Sequence, residues 1–223
     1  MQKKFGNRLH VYRLDKNCGL GIALNYGIEH CKNNLVARMD SDDISKPERC
    51  KIQLEYFDAN QECCLLSSSV DEFTEDIEKI VSRRMLPSEH KEIVEFSRMR
   101  NPMNHPCVMY KKDKVIAAGG YQDFYLLEDY YLWVRMICSG AVLHNIKESL
   151  LWMRTNMNLY ARRGGIKYMM SQLKLLKYML KIQYISFFQF VSGVIFRILL
   201  SLMPNWLRAF WYKIVIRRSY NGY

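Results

Sequence analysis

Three carboxylates, those of Asp40, Asp42 and Asp43, stand within four consecutive residues. Carboxylates this close repel one another, and a bound cation removes the repulsion. Hard divalent cations such as Mg²⁺ and Mn²⁺ take oxygen ligands, usually one or two carboxylates together with substrate phosphates. The same residues could instead form an acidic loop in which Asp43 or Ser45 caps the next helix. The triplet alone leaves both interpretations open.

A second acidic pair, Glu128 and Asp129, stands directly before a stretch with helical spacing of apolar residues. Acidic side chains stabilise a helix when they lie in its first turn. A carboxylate can also accept the proton of a hydroxyl group that attacks an electrophilic centre. The two roles are compatible in one side chain.

These acidic residues lie in a chain where predicted strands and helices alternate, which indicates an α/β fold. Asp40 follows residues 35–39, which are apolar except for Arg38 and predict a buried strand. Ser45, Pro47 and Glu48 have the spacing of a capping box, which predicts a helix from there to about residue 60. Further strands are predicted over 8–14, over 64–68 and within 102–110, further helices over 20–31, 89–99 and 129–138, and a polar loop over 72–87.

Several separate stretches, in this order and spacing, closely resemble family-2 glycosyltransferases of the GT-A fold. They are Asn17–Gly19, Ala23–Gly27, Arg38–Ser45, Pro47–Arg49 with Gln53, Asn101–Pro102, His105–Pro106, Val108–Met109, Gly119–Tyr121, and Glu128–Trp133 with Arg135. The resemblance covers roughly residues 7–155. It implies a catalytic domain over residues 1–155, built as an incomplete GT-A (Rossmann-like) mixed sheet with flanking helices.

The resemblance also implies roles for the acidic residues. In this family the first carboxylates bind a divalent metal that bridges the diphosphate of a nucleotide sugar. Asp42 would contact the metal, Asp40 would lie near the ribose or donor sugar and at the metal, and Asp43 is an additional ligand. Asp129 matches the catalytic base, with Glu128 beside it.

A second group of residues would bind the donor or substrate by the same resemblance. This group is Asp40, Asn25, Arg38, His105, Gly119, Gly120 and Tyr121. His105, predicted on a strand, also fits a satisfied core histidine, and the two glycines also fit a plain structural turn. We expect Leu132 and Trp133 to pack in the core rather than to bind sugar.

The sequence departs from the family at its start. Family members open with a strand that ends in Pro-Val-Tyr-Asn-like residues and a second that ends in Asp-Asp-Gly-Ser-like residues, and neither occurs here. The donor nucleotide would then lack most of its usual contacts, and the strand before Asp40 would have an open edge. We therefore expect weak or no transfer activity from this chain by itself.

The C-terminal part, residues 156–223, has a different composition. No acidic residue follows Glu148, while residues 149–223 contain twelve of the 33 lysines and arginines, so the net charge of +11 belongs to this part. Helical periodicity over 166–183 and an apolar run over 185–203 predict an amphipathic helical tail. Arg197 opposes a membrane span, which favours a peripheral anchor on anionic lipid over a transmembrane helix. A helical cap packed on the catalytic domain is the alternative.

The sequence as a whole predicts an inverting, metal-dependent glycosyltransferase. It would use Mn²⁺ or Mg²⁺, a nucleotide-sugar donor and a glycan or lipid-linked acceptor, in polysaccharide or cell-surface glycan synthesis. Its seven cysteines fit neither a zinc site nor a disulfide framework, and no signal peptide or nucleic-acid recognition motif is found. We expect a cytoplasmic protein, peripheral on the inner face of the plasma membrane. The alternative is an inactive remnant or a membrane-bound interaction module.

Overall fold

The computed structural model describes residues 6–155 and 165–202. Its helices are α1 (Leu20–His30), α2 (Arg49–Ala59), α3 (His90–Ser97), α4 (Lys112–Ala117), α5 (Glu128–Cys138), α6 (Gly165–Lys181) and α7 (Phe187–Leu202). Its strands are β1 (Leu35–Ala37), β2 (Ile44–Ser45), β3 (Cys63–Phe73), β4 (Ile80–Arg84), β5 (Met109–Lys111) and β6 (Val142–Arg154). The alternation of strands and helices up to residue 155 confirms the predicted α/β class.

The six strands form one mixed sheet in the order β1-β5-β3-β6-β2, with β4 paired to β3. Only the central pair β3–β6 is parallel, and the other pairs are antiparallel. Among the described strands β1 pairs with β5 alone, so the strand that leads to Asp40 lies at an edge of the sheet. The three carboxylates of residues 40–43 lie between β1 and β2, and β2 pairs with Leu151 and Trp152 near the C-terminal end of β6.

Helix α5 lies between two apolar cores. Leu132, Trp133 and Met136, all fully buried, pack in the core beneath the sheet, as predicted for the first two. Tyr130 and Val134, on the other side of the helix, pack in a second core with residues of α6 and α7. The helix that begins with the second acidic pair is therefore fixed from both sides.

The helix pair α6–α7 packs on α5 through Leu175, Leu176 and Met179. The helical periodicity over 166–183 places Ile166 and Leu176 on one apolar stripe, but this stripe is rotated from the buried face: Leu176 is buried, whereas Ile166 is 76% exposed. The reason is that α6 contacts both α5 and α7, and these contacts set which residues face inward. The remaining aromatic and basic residues of the predicted tail, after Leu202, lie outside the described residues.

Four local predictions are wrong. No strand forms over 8–14, where the structure has a 3₁₀ turn at Gly6–Arg8 followed by irregular backbone. The capping box does not form, because Ser45 belongs to β2 and α2 begins at Arg49 without a side-chain cap. The predicted polar loop over 72–87 contains the end of β3 and the paired strand β4. His105 lies in a 3₁₀ turn, His105–Cys107, and not on a strand.

Candidate active site

The turn after β1 presents the first acidic residues in three different environments. Arg38 is buried, donates its backbone N–H to the Val108 carbonyl (2.9 Å) and pairs through both guanidinium ends with Asp40. Asp40 is therefore neutralised by its neighbour in the chain, and 42% of its side chain remains exposed. Asp42 is exposed to solvent. The structure thus places the predicted donor-site residues Arg38 and Asp40 together as an ion pair.

Asp43 is buried beside β6. Its Oδ1 accepts the backbone N–H of Arg154 at 2.8 Å, while its Oδ2 is buried with no hydrogen-bond partner. Burial is the main cause that raises the pKa of Asp43 to about 6, and the nearby carboxylates of Asp40 and Asp42 raise it further. A buried carboxylate oxygen without a partner is costly, and a cation would satisfy it.

These residues fit a divalent cation in a limited way. Within the described ranges, no three His, Cys, Asp or Glu side chains gather into a complete metal site. The oxygen ligands that the turn offers are the exposed carboxylate of Asp42 and the partnerless Oδ2 of Asp43. One or two carboxylates completed by phosphate oxygens is the arrangement typical of Mg²⁺.

Asp129 lies in the first turn of α5 and is held by two donors. Asn101 donates its side-chain N–H to Oδ2 at 2.6 Å, and the backbone N–H of Tyr130 donates to Oδ1 at 2.7 Å. The Asn101 amide is itself oriented, since its Oδ1 accepts the backbone N–H of Met103 at 3.2 Å. Asp129 stays 16% exposed, so a substrate hydroxyl can reach a carboxylate of fixed orientation. Glu128 is half-buried beside it, and burial raises its pKa.

His105 and Tyr121 feel charges from both acidic regions, the turn after β1 and the start of α5. Nε2 of His105 lies 2.9 Å from the hydroxyl of Tyr121, and its Nδ1 lies 4.0 Å from Oδ2 of Asp129. Burial lowers the pKa of His105 to about 3, with Asp129 opposing this effect and Arg38 adding to it. Asp129 and Arg38 also both act on Tyr121, whose pKa burial raises well above its usual value. Asp129 and Arg38 are therefore both close enough to His105 and Tyr121 for their charges to act on the pKa values of these two side chains.

The loop with Gly119 and Gly120 is held from two helices. Both are in the left-handed region, at φ +83° and +61°. Asn25 of α1 accepts the Tyr121 N–H (2.8 Å) and donates to the Tyr121 carbonyl (2.7 Å), while Arg135 of α5 donates to the Gly120 carbonyl at 2.6 Å. Both polar atoms of the Asn25 side chain are therefore used to position the loop.

Three contributors have no role assigned from the sequence. Asn101 belonged to a matched stretch, but only the fold shows that it touches Asp129. Arg49 and Gln53 are buried and bind the carbonyls of Arg38 and Cys107, at 2.7 and 2.9 Å, so they fix the turn from behind. A charged or amide residue on the inner face of a helix is the sequence signal that could have identified the last two.

Gly120→Ala is expected to destabilise the protein by about 1–3 kcal/mol, a typical cost of a non-glycine residue in a strained backbone conformation. An added Cβ would lie 2.8 Å from Oδ1 of Asn25, so it would also disturb the loop's anchor. Urea unfolding measures the effect. Gly27→Ala is the control, because Gly27 is helical with nothing within 4 Å of its added Cβ and should be neutral or stabilising. Equal effects of both substitutions would contradict this account.

His105 is expected to make stability depend on pH. Its folded pKa of about 3 lies below the unfolded value of 6.5, so between these pH values the imidazole is protonated in the unfolded state and neutral in the folded state. Its contribution is complete above pH 6.5 and is lost as pH falls toward 3. Between pH 6.5 and 5 the loss is about 2 kcal/mol. Urea unfolding of His105→Asn should show a flatter pH profile than wild type, whereas the exposed His10→Asn should not.

Comparison with known proteins identifies the family. The model of glycosyl transferase family 2 matches residues 1–116. A UDP-Gal:alpha-D-GlcNAc-diphosphoundecaprenol beta-1,3-galactosyltransferase of Escherichia coli is 39% identical over 207 residues, which are 93% of this chain and 75% of the relative. The chain belongs to glycosyl transferase family 2. This glycosyltransferase is also 38% identical to the amylovoran biosynthesis glycosyltransferase AmsE of Erwinia amylovora, over 92% of this chain and 76% of AmsE.

Solved structures show that the glycosyltransferase has the GT-A fold. S. aureus TarS 1-349 superposes with a TM-score of 0.55 at 12% identity, over 87% of this chain and 56% of the TarS chain. The mannosyltransferase PcManGT from Pyrobaculum calidifontis, solved with GDP-Man and Mn2+, gives a TM-score of 0.50 at 11% identity, over 87% and 53%. The glycosyltransferase thus spans just over half of each of these solved chains.

Proposed function

We propose that this glycosyltransferase moves a sugar from a nucleoside-diphosphate sugar to a glycan or lipid-linked acceptor in polysaccharide or cell-surface glycan synthesis. The names of the two relatives support it: one describes a UDP-galactose donor and a diphosphoundecaprenol acceptor, and the other describes amylovoran biosynthesis. The observation that carries the proposal is that His105, which lies 4.0 Å from Asp129 and 2.9 Å from the Tyr121 hydroxyl, also feels the charge of Arg38, the ion-pair partner of Asp40.

The proposed reaction is a single displacement with inversion. The acceptor oxygen forms a bond to the anomeric carbon while the bond from that carbon to the diphosphate oxygen breaks. Asp129 takes the acceptor proton as the new bond forms. The hydrogen bonds from Asn101 and from the Tyr130 backbone keep its carboxylate in one orientation, which the transfer requires.

Asp42 and Asp43, with Asp40 close by, would hold a divalent cation beside the diphosphate. When bound, Mn²⁺ or Mg²⁺ neutralises the charge that develops on the leaving nucleoside diphosphate. The exposed carboxylate of Asp42 and the partnerless Oδ2 of Asp43 support this assignment. Asn25, Gly119 and Gly120 shape the loop that positions Tyr121 against His105.

We also propose that the enzyme works at the inner face of the plasma membrane as a peripheral protein. Its C-terminal part is basic and apolar, and a lipid-linked acceptor would be found at such a surface. In the described ranges, no helix is long and apolar enough to cross a bilayer.

The test is a transfer assay with the full chain, Mn²⁺, a panel of UDP- and GDP-sugars, and GlcNAc-diphospholipid as acceptor. We expect weak nucleoside diphosphate release that requires both acceptor and metal, and a product whose anomeric configuration, read by NMR, is opposite to that of the donor. Donor binding without transfer for every pair would favour the interaction module. Retained configuration would exclude the single displacement.

A further inference from the structure

The helix pair α6–α7 has one side that the rest of the described protein does not cover. Exposed apolar side chains lie along it, those of α7 after Phe188 at spacings of three to four residues, and we call them the outer face: Met170, Phe187, Phe188, Val191, Ile195 and Leu199. Phe188 is 84% and Ile195 is 54% exposed. Exposed apolar side chains in this number on one helix pair mark a site of interaction.

The groove between the two helices is also apolar. It has a volume of about 210 Å³ and is lined by apolar side chains and by Lys177. Apart from Lys177 its lining side chains are all apolar, so hydrocarbon suits it better than a peptide backbone or a nucleotide. Lys177 can lay its aliphatic stem on the groove while its ammonium group extends outward, where it could meet the phosphate groups of a lipid surface.

The arginine of α7 points the other way. Arg197 is buried, and it donates to the Met99 carbonyl at 3.0 Å and to the Gly193 carbonyl at 3.3 Å. The charge that argues against lipid contact in the sequence therefore lies on the domain side of α7. The outer face itself carries no arginine among the described residues.

Charge favours an anionic lipid surface as the occupant. Lys177 and Lys181 are exposed on α6, and no acidic residue occurs anywhere from 149 to 223. Lysines beside an apolar helix face attract anionic headgroups while the apolar side chains enter the acyl boundary. Helix α7, with 16 residues, is about 24 Å long at 1.5 Å per residue, which is short of the hydrocarbon core. It can lie in the interface plane.

We infer that the outer face of α6–α7 is the surface that docks on anionic lipid, with α7 lying in the plane of the bilayer. This inference rests on the peripheral association proposed above and assigns it to particular residues. Helix α6 packs on α5, which begins with the candidate base, so docking places the catalytic helix one helix away from the lipid.

The test is flotation of the full chain with phosphatidylglycerol-containing vesicles and with neutral vesicles. Wild type should float with the anionic vesicles. Ile195→Asp should lower the partition coefficient about tenfold, as expected for removing one large apolar side chain from lipid. Ile116→Asp is the matched control, because Ile116 on α4 is 56% exposed and lies outside the outer face. Phe188→Asp is a second variant at a separate position.

Charge is tested in the same way. Lys177→Glu should weaken flotation, and Lys51→Glu, at an exposed position of α2, should leave it unchanged. Equal circular dichroism and thermal midpoints verify that the variants fold. Equal loss for Ile195→Asp and Ile116→Asp, or no loss for either, overturns the inference.

Other occupants give different results. If light scattering shows a dimer without lipid that Ile195→Asp makes monomeric, a second copy covers the face and the inference is wrong. If wild type fails to float, the inference and the peripheral association both fail. Flotation needs no turnover, so its outcome is independent of the transfer assay that tests the catalytic proposal.

Discussion

Asp129→Asn is expected to lower the turnover number by about 10²–10⁴, the usual contribution of a positioned general base. The amide keeps the size of the side chain and can still accept the Tyr130 N–H, but it cannot take a proton from the acceptor. Donor affinity should change little. Initial rates across acceptor concentrations, with isothermal titration of the donor, measure the two effects separately. Asp123→Asn, an exposed carboxylate before the same helix, is the control.

Asn101 provides a sharper version of this experiment. Asn101→Ala removes the side-chain donor to Asp129 and should lower the turnover number about tenfold, because the carboxylate loses its fixed orientation. Combined with Asp129→Asn, it should cost little more, since it acts through that carboxylate. Fully additive losses would mean that Asn101 supports the fold and not the base, and an Asp129→Asn variant with wild-type turnover would exclude the base assignment.

The second large effect concerns the cation. Asp42→Asn is expected to weaken Mn²⁺ binding in the presence of UDP about tenfold or more, because the site loses a charged oxygen ligand. Asp43→Asn should weaken it as well, since the amide oxygen that replaces the partnerless Oδ2 carries no net charge. Electron paramagnetic resonance of free Mn²⁺ measures binding without turnover. Asp58→Asn, exposed on α2, controls for the loss of one charge. An unchanged Mn²⁺ affinity in both Asp42→Asn and Asp43→Asn would show that the metal does not bind at this turn.

What the sequence could predict is the part governed by local pattern. The helices α1, α3 and α5 begin and end within a few residues of their predicted bounds, because periodicity and first-turn acids act locally. Strand β3 was predicted too short. Burial of its polar residues is stable only because residues distant in the chain pair with them. Lys46 and Arg83, for example, bind the Asp71 carboxylate at 2.8 and 2.6 Å. Burial raises the pKa of Asp71, and the hydrogen bonds from Arg83, Lys46 and Ser149 together with the charge of Lys46 outweigh it, so the pKa is lowered.

The candidate site divides in the same way. The acidic residues after β1 and at the start of α5 stand out in the sequence because of their types and spacing. The role of Asn101, by contrast, depends on a contact across 28 residues of chain. His105 falls within the strand predicted over 102–110, but it opens a 3₁₀ turn that contains Pro106, and the strand begins only at Met109.

The double packing of α5 has a thermodynamic consequence. Tyr130 donates its hydroxyl to the Ser97 carbonyl on the side facing α6–α7, and its backbone N–H holds Asp129. Detaching α6–α7 would expose Tyr130 and Val134 to water, so the helix pair and the catalytic helix should melt in one cooperative transition. Backbone amides at the start of α5 should then exchange hydrogen faster whenever α6–α7 loosens from the domain.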